Sequence, residues 1–247
     1  MSTLVINLGT PLECLISTCL IKKLKDRFEN IDILVRDEEC LGVFSKNNNI
    51  SRTLNLKDDN NSYLDYENYV FLSVRDPSVV FSDKKIYGVG SSDFSDEALN
   101  ILYGNKKTSK NVFEVYFNLI GEKWRGEGLT LEYSAKRYPV KNSVGFAIAN
   151  PNLKKYIMNT LKLDLSKSFV IPFKDNLFKK IDETNAAETV VTDDFTYLNI
   201  ALLLRKRVYF LKTINYNFNI ELFRSGEILI VPKNIFIGME LWVTKTT

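Results

Sequence analysis

The chain has 247 residues, of which 45% are hydrophobic, 12% aromatic and 26% charged, enough apolar material to fill one large α/β domain or two small ones. Its 33 Lys and Arg against 30 Asp and Glu leave a net charge of +3, so no overall field recruits nucleic acid or an anionic membrane. Histidine is absent, which excludes imidazole bases, Ser-His-Asp triads and histidine metal sites and leaves acid–base chemistry to carboxylates, Lys, Tyr and Cys.

In chain order, Leu4-Val5-Ile6 is a short β-branched run that predicts a strand, and Leu12, Leu15, Ile16, Cys19, Leu20 and Leu24 follow helical spacing to about Phe28. Thr10-Pro11-Leu12-Glu13 opens that helix. Asn30 closes it, and Ile31 to Val35 predicts a second strand. Cys40 to Phe44 predicts a short helix, Asn47-Asn48-Asn49 a turn, and Ser51 to Leu56 a third strand. The short connections favour a right-handed parallel β-α-β arrangement. Lys57 to Tyr66 is polar and acidic and reads as loop. Tyr69 to Ser73 and Lys85 to Val89 predict two more strands, and Val112, Val115, Tyr116 and Leu119 mark a helix within Lys110 to Ile120.

Gly121 to Gly128, with charges between the glycines, is the candidate hinge. After Lys141 a second alternation begins: strand Ser143–Ala149, helix Leu153–Leu163, strand Phe169–Pro172, helix Asn176–Glu183, strand Glu188–Thr192, helix Phe195–Leu204, strand Arg207–Leu211 and strand Glu227–Val231. The expected fold is therefore α/β, with two Rossmann-like lobes of unequal size, spanning 1–125 and 141–235, and a C-terminal tail over 236–247 that carries Trp242.

Cys14, Cys19 and Cys40 are an odd number without zinc-type spacing, which suits a reducing compartment. No apolar run approaches a membrane span, and Met1-Ser2-Thr3 lacks the basic start of a signal peptide. A cytoplasmic location is the expectation. The basic clusters Lys106-Lys107 and Arg205-Lys206-Arg207 read as solvated faces.

Three places carry residues suited to chemistry, each with a structural alternative. Thr10, Pro11 and Glu13 form a capping box, with Thr10 as N-cap and Glu13 reaching back to its N–H; the same Glu13 could act as a catalytic carboxylate. Asp193-Asp194 ends a strand before an apolar helix, either as an acidic N-cap or beside a helix N-terminus that holds a diphosphate. Arg75-Asp76-Pro77 is either a turn salt bridge or an acceptor contact.

Three segments line up in order with one family. The strand-turn-helix around Leu12-Glu13 resembles the opening of the bacterial heptosyltransferases, GT-B-type glycosyltransferases of family nine, in which a Gly-Asp pair at this turn carries the catalytic Asp. "NVFEVYFNLIG", Asn111 to Gly121, is similar to the helix that leads out of their acceptor domain. "TVVTDDFTYLNIALLLRKRVYFL", Thr189 to Leu211, resembles their donor-domain segment. There Asp194 matches the motif Asp, Leu198 its Met and Asn199 its His, while Phe195 and Thr196 replace a small hydroxyl residue and a Gly.

The resemblance covers residues 1–235 and implies two GT-B-like lobes facing across a cleft, the second shortened between Lys155 and Asp194. It implies Glu13 as the base and Lys154 or Lys155 as the diphosphate partner. Asp194, Thr196 and Asn199 become donor contacts. Apart from the resemblance, Arg75 at the end of its strand is the candidate acceptor contact. The implied function is metal-independent inverting transfer from a nucleotide-sugar donor to a glycan, lipid or protein acceptor, with no cofactor. The alternative is an inactive relative that serves as a binding or assembly subunit with a protein partner. A Rossmann-type reductase is disfavoured because no G-x-G-x-x-G follows any strand.

Overall fold

The computed structural model describes residues 2–57, 65–72, 85–87, 112–149, 157, 166–173, 175–213, 228–229 and 239–241. The chain divides into two units, Met1–Tyr133 and Ser134–Thr247.

The first unit runs β1 (Ser2–Asn7), α1 (Pro11–Arg27), β2 (Asn30–Val35), α2 (Glu38–Phe44), β3 (Arg52–Asn55), β4 (Asn68–Phe71), β5 (Lys85–Tyr87) and α3 (Val112–Leu119). Its sheet has the order β3-β2-β1-β4-β5, with every pair parallel. In β1 and β2 every residue after the first is buried. A parallel sheet covered on both faces makes that demand, and the near-continuous apolar runs meet it. Leu4, Ile6, Leu34, Tyr66, Tyr69 and Phe71 form one core cluster.

Burial of α1 extends well round the helix and takes in Ser17 and Thr18 as well as its leucines and isoleucines. Both hydroxyls are satisfied inside the helix, Ser17 donating to the Cys14 carbonyl at 2.8 Å and Thr18 to the Leu15 carbonyl at 2.7 Å. The expected hinge folds onto this unit. Gly121 (φ 71°) and Gly126 (φ 98°) take left-handed backbone. Trp124 stacks on Phe113 at 5.5 Å, and the Thr130 N–H donates to Thr18 Oγ1 at 3.0 Å.

The second unit runs β6 (Val144–Ala147), β7 (Ser168–Val170), α4 (Leu177–Asn185), β8 (Thr189–Thr192), α5 (Phe195–Leu203), β9 (Arg207–Thr213), β10 (Ile228–Leu229) and β11 (Met239–Leu241). The order is β10-β9-β8-β6-β7, all parallel, with β11 antiparallel on the far end of β9. Within the stretch 236–247, Met239–Leu241 pairs with Leu211–Thr213. Gly145 lets this sheet pack closely: a Cβ there would stand 2.8 Å from Ile171 Cδ1 and 2.9 Å from Ala187 Cβ. The helix expected over 153–163 lies outside the described residues except for Ile157, which is helical and buried. Among the described residues, no helix is long and apolar enough to cross a membrane.

Candidate functional site

Strand order locates the open side of each sheet. In doubly wound sheets a ligand crevice forms beyond the carboxyl ends of the strands, where the winding direction reverses. In the first unit the order reverses between β1 and β4, so the connection from Asn7 to Glu13 lies at that point. In the second it reverses between β6 and β8, which places Ile148-Ala149 and Asp193-Asp194 there.

At the first point the capping box expected from the sequence is complete. Thr10 is the N-cap in extended backbone, Pro11 opens α1, and the Glu13 N–H donates to Thr10 Oγ1 at 3.4 Å. In return the Thr10 N–H donates to Glu13 Oε2. Glu13 is only 1% exposed, and its Oε1 has no hydrogen-bond partner among the described residues. The Leu8-Gly9-Thr10 turn closes over the carboxyl: a Cβ on Gly9 would meet Glu13 Oε2 at 2.7 Å and its Cβ at 2.8 Å. One carboxylate oxygen is thus fixed by a backbone donor, and the other is buried without a partner among the described residues.

Two thiols line the turn. Cys14 Sγ lies 3.9 Å from the Asn7 carbonyl, and Cys40 Sγ lies 3.6 Å from the Gly9 carbonyl. Burial pushes the Cys14 thiol well up, with further upward contributions from Cys40 and from the Glu13 and Asp37 charges. Asp37, the N-cap of α2, is also pushed up by burial. Hydrogen bonds from the Cys40 N–H at 3.0 Å and Arg36 Nε at 2.8 Å outweigh that and leave its carboxyl below the usual range.

At the second point Asp194 is the N-cap of α5, and its Oδ1 accepts the N–H groups of Thr196 at 2.8 Å and Tyr197 at 3.2 Å. These are the donors that an anion at a helix N-terminus would otherwise use. Thr192 Oγ1 accepts the Asp194 N–H at 3.0 Å. Asp193 Oδ1 accepts the Ala149 N–H at 3.0 Å, which ties the ends of β6 and β8 together across the reversal. Thr196 is half-buried at the same end. Asn199 lies one turn further in, 2% exposed, with Nδ2 donating to the Phe195 carbonyl at 2.8 Å and Oδ1 buried without a partner among the described residues.

The structure thus brings Asp194, Thr196 and Asn199 into the first two turns of one helix and puts Glu13 at the matching place in the other unit. Arg75, Lys154 and Lys155 lie outside the described residues. Among the described residues no group of three or more His, Cys, Asp or Glu side chains is arranged to hold a metal ion. Sequence reasoning missed Asn7 and Gly9, although an Asn at a strand end with Gly two residues on is a signal for an Asx turn.

No family model matches the chain, and no curated protein matches it. Among solved structures it is similar to a glycosyl transferase of family 9 from Veillonella parvula, with 11% identity and a TM-score of 0.51 over 84% of this chain and 79% of that one. It is also similar to the ADP-heptose LPS heptosyltransferase II of E. coli, with 13% identity and a TM-score of 0.55 over 95% and 92%. A third is a bacterial iron-containing dodecameric glycosyltransferase from enterotoxigenic E. coli, with 10% identity and a TM-score of 0.51 over 84% of this chain and 58% of that one. At these identities the likeness is one of fold, an α/β chain of two Rossmann-like lobes of the GT-B type.

Proposed function

We propose that this chain is a glycosyltransferase that moves a sugar from a nucleotide-sugar donor to a hydroxyl acceptor, with inversion and without a metal ion. One observation carries the reading. The two segments that resemble heptosyltransferase motifs, around Glu13 and around Asp194, each lie where the winding of their own sheet reverses. Fold likeness to proteins described as glycosyltransferases, one of them acting with ADP-heptose, supports the same class.

In this reading the first unit receives the acceptor and supplies Glu13 as base. Glu13 Oε1 takes the proton as the acceptor oxygen bonds to the anomeric carbon. The bond from that carbon to the diphosphate oxygen breaks on the opposite face, and the nucleoside diphosphate leaves with the electron pair. In the closed turn the Thr10 N–H holds Oε2, and the turn carrying Gly9 and Thr10 swings aside as one piece to admit the acceptor. Asp194 and Thr196 meet the donor, Asn199 backs them from within the helix, and Lys154 or Lys155 offsets the diphosphate charge. Arg75 binds the acceptor.

A second reading rests on the same closure. The Glu13 carboxylate is sealed, and the Asp194 carboxylate already consumes two helix N–H groups. Both suit an inactive relative that keeps the fold as a binding or assembly subunit.

The test is sugar transfer, or donor hydrolysis where no acceptor is known, across a panel of nucleotide sugars. Wild type and Glu13→Gln are compared at equal folded fraction, with and without a chelator. The enzyme reading expects Glu13→Gln to lose about 100-fold or more in rate with an unchanged melting temperature, the usual scale for losing a general base. It also expects no effect of the chelator. Equal rates for the two proteins would remove Glu13 as base, and no turnover with any donor would favour the binding subunit.

A further inference from the structure

Gly9 is gripped from two sides. Its N–H donates to Asn7 Oδ1 at 3.1 Å, and its carbonyl accepts from Cys40 Sγ at 3.6 Å. Asn7, the last residue of β1, is wholly buried. The other end of its carboxamide, Nδ2, donates to Ser17 Oγ at 2.8 Å, and that hydroxyl donates onward to the Cys14 carbonyl at 2.8 Å. The Asn7 carbonyl receives Cys14 Sγ at 3.9 Å. A buried amide satisfied at both ends is rigid, because each broken bond leaves a desolvated polar group behind. This one joins the strand end, the turn and the second turn of α1. On the other side of Gly9 lies the Glu13 carboxyl, in the space a Cβ would need.

We infer that Asn7 is a positioning residue for Glu13: its carboxamide sets the Gly9 turn over the carboxylate and governs how that turn opens and recloses. The inference rests on the reading of Glu13 as the base. Asn7 touches no reacting atom and acts through Gly9. The two ends of the carboxamide are separable. Oδ1 orients Gly9, whereas Nδ2 only anchors the side chain to Ser17. Ser17→Ala therefore loosens the anchor and leaves the acceptor for Gly9 in place. Asn7→Ala removes both, and Asn7→Asp restores the acceptor.

The experiment follows amide hydrogen exchange by NMR in the full chain, for wild type, Asn7→Ala, Asn7→Asp and Ser17→Ala. The Thr10 amide reports whether Glu13 is held, and the Val5 amide in β1 reports overall stability. Relative to Val5, Thr10 protection in Asn7→Ala should fall about 10-fold or more, as for release of a buried hydrogen-bonded turn. Ser17→Ala should leave that ratio within about 2-fold of wild type, and Asn7→Asp should recover it. With a nucleotide sugar, Asn7→Ala should lower kcat while the donor KM holds, and Asn7→Asp should restore kcat.

Unchanged Thr10 protection in Asn7→Ala would overturn the inference, and so would equal losses in Asn7→Ala and Ser17→Ala. Should Asn7→Ala not fold, wild type alone decides. The Gly9 and Thr10 amides should open together, and Thr10 exchanging about 10-fold faster than Gly9 would overturn it. If wild type transfers no sugar, the base reading fails, while the exchange ratios still decide whether Asn7 holds Glu13 in place.

Discussion

Gly9 and Glu13 occupy each other's space: the missing side chain of one is filled by the carboxyl of the other, with Glu13 Oε2, Cβ and Cδ at 2.7, 2.8 and 2.9 Å from where a Gly9 Cβ would sit. The requirement for glycine here is therefore one of volume. Gly9→Ala should destabilise the first unit by about 1–3 kcal/mol, the usual range for forcing extra volume into a packed site. Glu13→Ala removes two of the three crowded atoms. The double variant should thus be more stable than the sum of the single costs, by about 0.5 kcal/mol or more. Urea unfolding of the four proteins measures the coupling, and strict additivity would show that the two residues do not compete for space.

Thr10 and Glu13 cap α1 reciprocally, and the two halves of the box contribute differently. Thr10→Ala removes the oxygen that receives the Glu13 N–H and should cost about 1 kcal/mol. Glu13→Gln keeps an oxygen for the Thr10 N–H and should be close to neutral. Chemical denaturation distinguishes these outcomes. A large loss in Glu13→Gln would mean that the charge at the helix start, rather than the hydrogen bond, carries the stabilisation.

Asp194 permits the same separation in the second unit. Asp194→Ala leaves the Thr196 and Tyr197 N–H groups without their acceptor and should cost about 1–2 kcal/mol. Asp194→Asn caps about as well as Asp, so its stability should match wild type within about 0.5 kcal/mol. If Asp194 also meets the donor, Asp194→Asn should weaken nucleotide-sugar binding by calorimetry with the melting temperature unchanged. Equal affinity would leave it a cap alone.

The legible parts of the chain were those decided locally. Thr10, Pro11 and Glu13 announce a helix start through spacing alone, and β1 and β2 are announced by apolar runs that a covered parallel sheet requires. Asp37 shows where that reading stopped short. The helix expected from Cys40 begins at Glu38, because Asp37 caps it by accepting the Cys40 N–H. Met239–Leu241 carries too little pattern to be seen as a strand, and its existence depends on the edge that the far end of β9 offers. At the site, sequence named the carboxylates but not their engagement. Asp193 ties down Ala149, 44 residues earlier, and no spacing rule anticipates a contact of that range. The burial of Asn199, which points back to the Phe195 carbonyl, follows from α5 being enclosed nearly all round, an outcome of packing rather than of motif.

Tyr66 offers a pH test of the first unit's core. Its hydroxyl donates to Asp32 Oδ2 at 2.6 Å, and the same oxygen accepts from Arg52 Nε at 2.9 Å. Burial pushes the phenol up to about 12, helped by the hydrogen bond to Asp32 and by that carboxylate's charge, with Arg52 opposing. The folded state therefore holds the proton more tightly than the unfolded chain, whose tyrosines titrate near 10. The sign follows: the stabilisation is fully present below about pH 10 and is lost as pH rises towards about 12, at up to about 1.4 kcal/mol per pH unit. Tyr197 and Cys19 are raised by burial as well, so the whole protein weakens in alkali and wild type alone cannot isolate Tyr66. Tyr66→Phe can, because it removes this titration and leaves the others. The stability advantage of wild type over Tyr66→Phe, measured by urea midpoints, should hold steady from pH 8 to about 9.5 and then shrink steadily towards about pH 12. An advantage that stays constant across that range would mean that the phenol titrates alike in the folded and unfolded chains.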